Sequence, residues 1–199
     1  MKPVLVRDGD GWHRRSETVL YDHPYIRLEE VIYDSPHRSE PVSWIVARRK
    51  PGVIVAPRLA DGRFLMIRQE RYPIQQVLWE FPAGQIDAPD FQEHPERIEE
   101  TALRELREES GHQLSSKGEL IPLGHFFASQ GFTDEHAYLF LATEVEPTGK
   151  GPEFDDGEMI VEQAAFTFAE IQGKIASGEL VDANSLVLMA KLCAMGLVE

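Results

Sequence analysis

The sequence predicts a mixed α+β or α/β sandwich with a small N-terminal β element. Two observations support this class: strand-like segments lie both before and after one amphipathic helix, and two further helical segments follow them. The chain has 199 residues, 42% hydrophobic and 27% charged, which suits one ordinary domain with a buried core. We expect residues 1–48 to form the N-terminal element and residues 49–199 the main domain.

The first predicted elements are strands rich in β-branched and aromatic residues. Residues 25–33 (YIRLEEVIY) and 42–49 (VSWIVARR) have this composition and are separated by a turn-like segment. The stretch PGVIVAPRLADGRFLMIRQERY then has two apolar runs around Asp61 and Gly62, which is typical of a β-hairpin.

A further strand and the main helix come next. The stretch VLWEFPAG ends a strand at Pro82 and Gly84, and QIDAPDFQEHP has the composition of a loop. A helical period then begins near Pro95, a residue suited to a first helical turn, and ends at Gly111, which suits a C-terminal cap.

The remaining segments return to strand character and then to helix. QGFTDE is predicted to join two strands, and TGKGPEFDDGE is predicted to be an exposed, acidic loop. The predicted elements are strands LIPLGHFFAS, HAYLFLATEVE and IVEQAAFTF, and helices at about 168–177 and 182–195, separated by Gly178.

Charge and composition exclude several classes of function. The net charge of -14 argues against general binding to DNA or RNA, which depends on Lys and Arg neutralising phosphates. No stretch approaches the roughly 20 apolar residues of a membrane span, and the N-terminus lacks the apolar core of a signal peptide. We therefore expect a cytoplasmic protein with no membrane partner. Cys193 is the single cysteine, and its apolar neighbours predict a core thiol.

The segment from Glu96 to Ser110 combines an apolar stripe with three crowded carboxylates. Glu105, Glu108 and Glu109 lie three or four residues apart, so they project from one region of the helix. One interpretation is a solvated face on which arginines pair with the glutamates. The other is a carboxylate cluster that holds Mg²⁺ or Mn²⁺, ions that prefer oxygen ligands. The helix alone does not decide between them.

The neighbouring residues resemble the Nudix signature. Residues 104–111 (RELREESG) are similar to its second half, R-E-U-x-E-E-x-G-U, in which U is a bulky apolar residue, and Glu96 matches its earlier glutamate. Residues 80–84 (EFPAG) resemble the E-x-P-A-G segment of the branch that hydrolyses ADP-ribose and related nucleoside diphosphate sugars. Eleven residues instead of five separate Gly84 from Glu96, an insertion of six that could reshape the mouth of the pocket, and position 112 is His rather than aliphatic.

The resemblance implies a Nudix fold and a set of metal ligands. Glu105 and Glu109 would be the principal ligands of two or three Mg²⁺ or Mn²⁺ ions, with Glu108 as a further or water-mediated ligand. The Ala83 carbonyl would be a backbone ligand, and Arg104 would orient the carboxylates.

A general base would still have to take a proton from the attacking water. In similar enzymes it often comes from a loop after the last core strands, which here is EFDDGE. Glu158 is the first candidate, Asp156 is a second, and an ordinary solvated loop is the alternative. Glu96 is expected to support the start of the helix.

Substrate contacts are also implied by the resemblance. Residues 68–72 (RQERY) are similar to a Q-x-R element, which would bring Arg71 to the pyrophosphate or the base, with a surface salt bridge as the alternative. Glu80 and Gly84 would lie beside the substrate. Tyr25 and Trp44 match two aromatics that sandwich adenine, unless both are sheet-core residues.

The expected activity is metal-dependent hydrolysis of ADP-ribose, or a related nucleoside diphosphate sugar, to a nucleoside monophosphate and a sugar phosphate. The loop at residues 129–135 (SQGFTDE) resembles the S-P-G-F-T-D-E loop of ADP-ribose pyrophosphatases, with Gln130 in place of Pro. The family also implies a homodimer in which residues 1–48 contact the partner and its substrate. The alternative is a non-catalytic sensor that binds ADP-ribose on the same fold.

Overall fold

The computed structural model describes residues 3–154, 157 and 159–198. Within these ranges the chain forms β1 (His13–His23), β2 (Ile26–Asp34), β3 (Val42–Arg48), β4 (Gly52–Leu59), β5 (Phe64–Arg71), β6 (Gln76–Glu80), β7 (Ala83–Gln85), α1 (Glu96–Ser110), β8 (His112–Leu114), β9 (Leu120–Phe127), β10 (His136–Pro147), β11 (Ile160–Phe166), α2 (Phe168–Ser177) and α3 (Ala183–Ala194). The predicted helices and strands are present.

The N-terminal element is a separate antiparallel sheet in the order β1-β2-β3. Strand β2 has two buried positions, Glu29 and Val31, whereas every residue of β1 is exposed. Strand β1 was not predicted, because HRRSETVLYDH is mostly polar and lacks the alternation that is typical of a half-buried strand. The edge strand β1 of this sheet therefore has no buried residue.

The main sheet is mixed, with the order β11-β5-β4-β10-β8, and β6, β7 and β9 pair with β5, β4 and β10 respectively. Strands β4 and β10 are parallel, and the other pairs are antiparallel. The predicted hairpin at Asp61 and Gly62 joins β4 to β5, where Gly62 has φ of 88°. The short β8 was not predicted.

Helices cover both faces of the main sheet, which confirms the predicted sandwich. On one face, Ile98, Ala102 and Leu106 of α1 pack against apolar residues of β4 and β10. On the other face, Ile171 of α2 and Leu188 of α3 join a second cluster. The apolar period of each helix therefore faces the sheet.

The prediction that Cys193 is a core thiol is wrong, because its side chain is exposed while that of Leu192 is fully buried. Successive residues of a helix point about 100° apart, so the last turn of α3 buries only one of these neighbours. In the described part of the chain, none of the helices has the length and apolar character needed to cross a membrane.

Candidate active site

Two carboxylates of α1 are almost completely buried. Glu105 is 5% exposed and Glu109 is 1% exposed, on the side of the helix next to its apolar stripe. Burying a carboxylate is costly unless hydrogen bonds or opposite charge compensate it. The solvated-face interpretation of the helix is therefore wrong for these two residues, and their partners decide what the site can do.

The loop after β6 supplies one of those partners. The Ala83 amide donates a hydrogen bond of 2.8 Å to Glu109 Oε2. At the next residue, Gly84, a Cβ atom would overlap the carboxylate of Glu105, so only glycine fits there without displacement. Pairing of Ala83 with Ile54 fixes this segment to the main sheet. The two segments that resemble the Nudix signature therefore meet through Ala83, Gly84, Glu105 and Glu109.

Arg104 provides a cation for the same carboxylates. Its Nη2 lies 2.5 Å from Glu105 Oε1, and its Nη1 lies 2.6 Å from Glu108 Oε2. Burial lowers the pKa of Arg104, but the charge of Glu105 and the hydrogen bond to Glu108 outweigh burial and raise it. In this arrangement, no cluster of three or more His, Cys, Asp or Glu side chains with metal-site geometry is present within the described ranges.

Hydrogen bonds also satisfy the C-terminal end of α1, where the last four carbonyls of a helix lack partners within it. Donors from four places fill this role: Gly111 N to Arg107 O at 2.9 Å, Glu153 N to Glu108 O at 2.8 Å, Gln163 Nε2 to Glu109 O at 2.7 Å, and His112 Nδ1 with Ser110 O at 2.7 Å. Gly111 is left-handed, with φ of 66°, as predicted for a cap. These bonds offset the unfavourable position of two glutamates at this end of the helix dipole.

A third buried carboxylate, Glu80, pairs with Arg71. Glu80 is 2% exposed, and both of its oxygens accept hydrogen bonds from the Arg71 guanidinium, from Nε at 2.9 Å and from Nη2. Burial raises the pKa of Glu80 in spite of this pairing, and the hydrogen bond to Glu80 raises the pKa of Arg71. Both residues were predicted to lie at the site, but their pairing with each other was not predicted.

A cleft of about 1310 Å³ brings most of the predicted site residues together. Its walls include Tyr25, Arg71, Glu80, Ala83, Gly84, Arg104 and Glu105. Trp44, Glu108 and Glu109 are not among the described residues that line it. A smaller cavity of about 370 Å³, beside Arg58 and Leu197, contains none of the predicted residues.

Arg49 and Lys50 also line the cleft, although no sequence motif predicted them. Each of these cations is paired, Arg49 with Glu135 at 3.0 Å and Lys50 with Asp87 at 2.5 Å. Asp87 lies in the segment between Gly84 and Glu96, which is six residues longer than the signature expects, so this lengthened segment forms part of the cleft wall. No motif indicated these pairs, because Lys50 and Asp87 are 37 positions apart and Arg49 and Glu135 are 86 positions apart.

The two aromatics predicted to stack on a base are both exposed, so the sheet-core alternative is wrong for each. Tyr25 is 69% exposed and lines the cleft. Trp44 is 52% exposed, and its indole Nε1 donates a hydrogen bond of 2.8 Å to the Gly131 carbonyl. Thr133 also bonds β3, through its hydroxyl to Ala47 O at 2.7 Å. The loop SQGFTDE therefore attaches the N-terminal sheet to the main domain.

Both candidates for the general base, Glu158 and Asp156, lie outside the described residues. The segment before them is fixed at Glu153, through its bond to Glu108 O, and the segment after them at Met159, whose carbonyl accepts from Glu70 N at 2.9 Å. Phe154 and Gly157 line the cleft. Glu96 is the first residue of α1, as expected, and lies 3.1 Å from His94 Nδ1.

The donor atoms near α1 fit a hard divalent cation. Glu105, Glu108, Glu109 and the Ala83 backbone offer only oxygen ligands, the type that Mg²⁺ and Mn²⁺ prefer. The missing side chain at Gly84 allows the Glu105 carboxylate to lie directly against the backbone of this segment. Arg104 forms ion pairs with Glu105 and Glu108, so positive charge already lies beside two of these carboxylates.

Comparison with known proteins gives a consistent result. The NUDIX domain model matches residues 48–186. An ADP-ribose pyrophosphatase of Bacillus subtilis is 33% identical over 138 residues, covering 69% of this chain and 69% of that protein. An ADP-ribose pyrophosphatase of Mycobacterium tuberculosis is 33% identical over 132 residues, covering 66% of this chain but only 58% of that protein. A crystal structure of an ADP compounds hydrolase superposes with a TM-score of 0.71 over 97% of this chain and 100% of its own, at 17% identity, which shows the shared fold.

Proposed function

The chain belongs to the Nudix family, and from this premise we propose that it hydrolyses the pyrophosphate bond of ADP-ribose to AMP and ribose 5-phosphate. The contact between α1 and the Ala83-Gly84 segment carries the proposal, because it joins two buried carboxylates to one wall of a cleft large enough for a dinucleotide-sized ligand. The relatives that are ADP-ribose pyrophosphatases support the choice of substrate.

Glu105, Glu108, Glu109 and the Ala83 carbonyl would hold two or three Mg²⁺ or Mn²⁺ ions. When bound, such ions neutralise the charge of the pyrophosphate and lower the pKa of a coordinated water. Arg104 then acts as a positioning residue, because its bonds to Glu105 and Glu108 fix the directions of both carboxylates.

In the proposed reaction, the oxygen of water forms a bond to one phosphorus and the bond from that phosphorus to the bridging oxygen breaks. The proton of the water passes to a general base, for which Glu158 is our candidate and Asp156 the second. Both belong to the segment between Glu153 and Met159, whose ends are tied to α1 and β5. The choice is supported by Phe154 and Gly157, two described residues of the same segment, which line the cleft.

Three further residues are proposed to bind the substrate. Arg71 would contact a phosphate while Glu80 holds its guanidinium in position from behind, a role supported by their two hydrogen bonds. Tyr25 would stack on the base, since it lines the cleft with an exposed ring. Trp44 is proposed to complete the base site in a partner's cleft, because it is exposed without lining the cleft of its own chain.

The proposed assembly is a homodimer formed through residues 1–48. Its support is the set of exposed apolar side chains on the N-terminal sheet, which include Val19, Leu20 and Tyr21. Sedimentation at micromolar concentration would give a dimer mass, and Leu20→Glu should shift it towards the monomer. The proposed compartment is the cytoplasm, which a single cysteine fits.

Purified protein supplied with Mg²⁺ or Mn²⁺, and in separate reactions with ADP-ribose, GDP-mannose and UDP-sugars, tests the function. We expect release of phosphomonoesters, fastest from ADP-ribose. Release from GDP-mannose or a UDP-sugar alone would replace ADP-ribose as the proposed substrate. No release from any of these compounds would overturn the proposal. Binding of ADP-ribose without turnover would instead favour the sensor.

A further inference from the structure

Gln163 connects the last turn of α1 to strand β11. Its side-chain Nε2 donates a hydrogen bond of 2.7 Å to the main-chain carbonyl of Glu109, a residue 54 positions away in the sequence. Gln163 itself is held in β11 by pairing with Ile67 of β5, within the main sheet. The contact is therefore a link between the sheet and a glutamate that we propose as a metal ligand.

Glu109 is consequently held from two sides. Its carbonyl accepts from Gln163, and its carboxylate accepts from the Ala83 amide at 2.8 Å. One donor belongs to β11 and the other to β7, so the last turn of α1 lies between two fixed strands. A shift of this turn towards or away from β11 would move the Glu109 carboxylate relative to Ala83.

The environment makes the Gln163 bond difficult to replace. Glu109 is 1% exposed, so water has little access to its carbonyl. A buried carbonyl without a donor is destabilised by its lost hydration, and the helix turn is expected to move until another donor reaches it. The other carbonyls of this turn have donors that are backbone amides or the adjacent His112. Among these donors, Gln163 is the distant side chain that a single substitution removes.

We propose that Gln163 is a positioning residue, which sets the Glu109 carboxylate for a divalent cation by holding the main chain of the same residue. The proposal rests on the metal-binding role given to Glu109 under the proposed function. It adds a residue outside the sequence signature to the machinery of the site.

A matched pair of variants tests the donor itself. Gln163→Leu removes the amide but keeps much of the volume, and Gln163→Lys replaces the amide with a longer donor. Glu162→Gln is the control, because Glu162 is the exposed neighbour on the same strand and pairs only with Arg68 among its described partners. Titration calorimetry with Mg²⁺, without substrate, measures cation binding, and amide hydrogen exchange at Ala83 reports the position of the Glu109 carboxylate.

For Gln163→Leu we expect Mg²⁺ affinity to fall about tenfold or more, the usual size for loss of a residue that orients a metal ligand. Exchange at Ala83 should accelerate, and kcat should fall while KM changes little. Gln163→Lys should return Ala83 exchange to nearly the wild-type rate, and Glu162→Gln should match the wild type in all three measurements.

The proposal would be overturned if folded Gln163→Leu kept the wild-type Mg²⁺ affinity and the wild-type exchange rate at Ala83. It would also be overturned if exchange at Ala83 accelerated equally in the Leu and Lys variants. If Gln163→Leu does not fold, the Lys variant decides through the Ala83 amide, since accelerated Ala83 exchange in folded Gln163→Lys would contradict a donor role. Wild-type protein that neither binds Mg²⁺ nor hydrolyses a nucleoside diphosphate sugar would instead contradict the proposed function itself.

Discussion

The last turns of α1 and the N-terminal sheet differ in how far their side chains are buried. Glu105 and Glu109 are nearly inaccessible and bound by groups from the same chain, whereas β1 is exposed along its whole length. Tyr25 and Trp44, from the N-terminal element, are likewise exposed. The partners of the buried carboxylates therefore all come from the same chain. The aromatic surface proposed for base recognition is instead open, and only a ligand or a second chain would bury it.

The largest expected effect comes from Glu109→Gln in the buried region. The amide oxygen can still accept from Ala83, so folding should be kept, but the charge that holds a cation is lost. We expect kcat to fall about a thousandfold or more, equivalent to several kcal/mol of lost charge stabilisation. Turnover and Tm are the measurements. Glu100→Gln, an exposed glutamate paired with Arg97 on the same helix, is the control and should retain full activity.

The effect of burial on the Arg71–Glu80 ion pair is tested by measuring protein stability instead of the reaction rate. Arg71→Ala leaves a carboxylate that is 2% exposed without its cation, which should lower the free energy of unfolding by about 3 kcal/mol at neutral pH. Arg68→Ala, on the same strand with a half-exposed partner, should cost about 1 kcal/mol or less. Urea unfolding measures the free energy of unfolding of both variants. Equal losses would contradict a larger stabilising contribution from the buried pair.

The same variant has a pH dependence with a definite sign. Burial already raises the pKa of Glu80 in the folded protein, and loss of Arg71 should raise it further. A carboxyl with a higher pKa in the folded chain binds its proton more tightly there, so this group's contribution to stability falls as pH rises between its ordinary and raised pKa. The stability gap between Arg71→Ala and wild type should therefore narrow at acidic pH. A gap that widened on acidification would contradict this assignment.

Gly84→Ala tests the contact between the loop and the helix. The added Cβ would overlap the Glu105 carboxylate, so either that side chain or β7 must move. A displacement of about 1 Å in a catalytic group can cost about a hundredfold in rate, and we expect a loss of that size in kcat. Gly173→Ala, in α2 and away from the cleft, is the control, because a Cβ there meets nothing within 4 Å. Full activity of Gly84→Ala would mean that Glu105 has no fixed position in the reaction.

The smallest effects belong to the exposed region. Tyr25→Ala and Trp44→Ala should each raise KM about tenfold, the size of one lost base–aromatic stack, with little change in kcat. Tyr25→Phe and Trp44→Phe keep a ring and should remain close to wild type. The Trp44 result should depend on dimerisation, whereas the Tyr25 result should not. If Tyr25→Ala or Trp44→Ala lowered kcat as much as Glu109→Gln, the assignment of catalysis to the buried region and of base binding to the exposed region would be wrong.

The sequence predicts the buried region better than the exposed one, for physical reasons. The apolar period from Ile98 to Leu106 and the cap at Gly111 determine α1 locally, and its structure follows them. The bonds from Ala83 and Gln163 to Glu109 join residues 26 and 54 positions apart, and no local pattern encodes them. Strand β1 was missed because a strand with no buried face has no hydrophobic period.

Hydrolysis of ADP-ribose followed by ³¹P NMR, in the presence of Mg²⁺, tests the central claim most directly. With wild-type protein, we expect the diphosphate resonances to be replaced by those of two phosphomonoesters, AMP and ribose 5-phosphate, and with Glu109→Gln we expect them to persist. Unchanged diphosphate in the wild-type sample, or equally rapid conversion by folded Glu109→Gln, would contradict the claim that the buried carboxylates of α1 carry out this reaction.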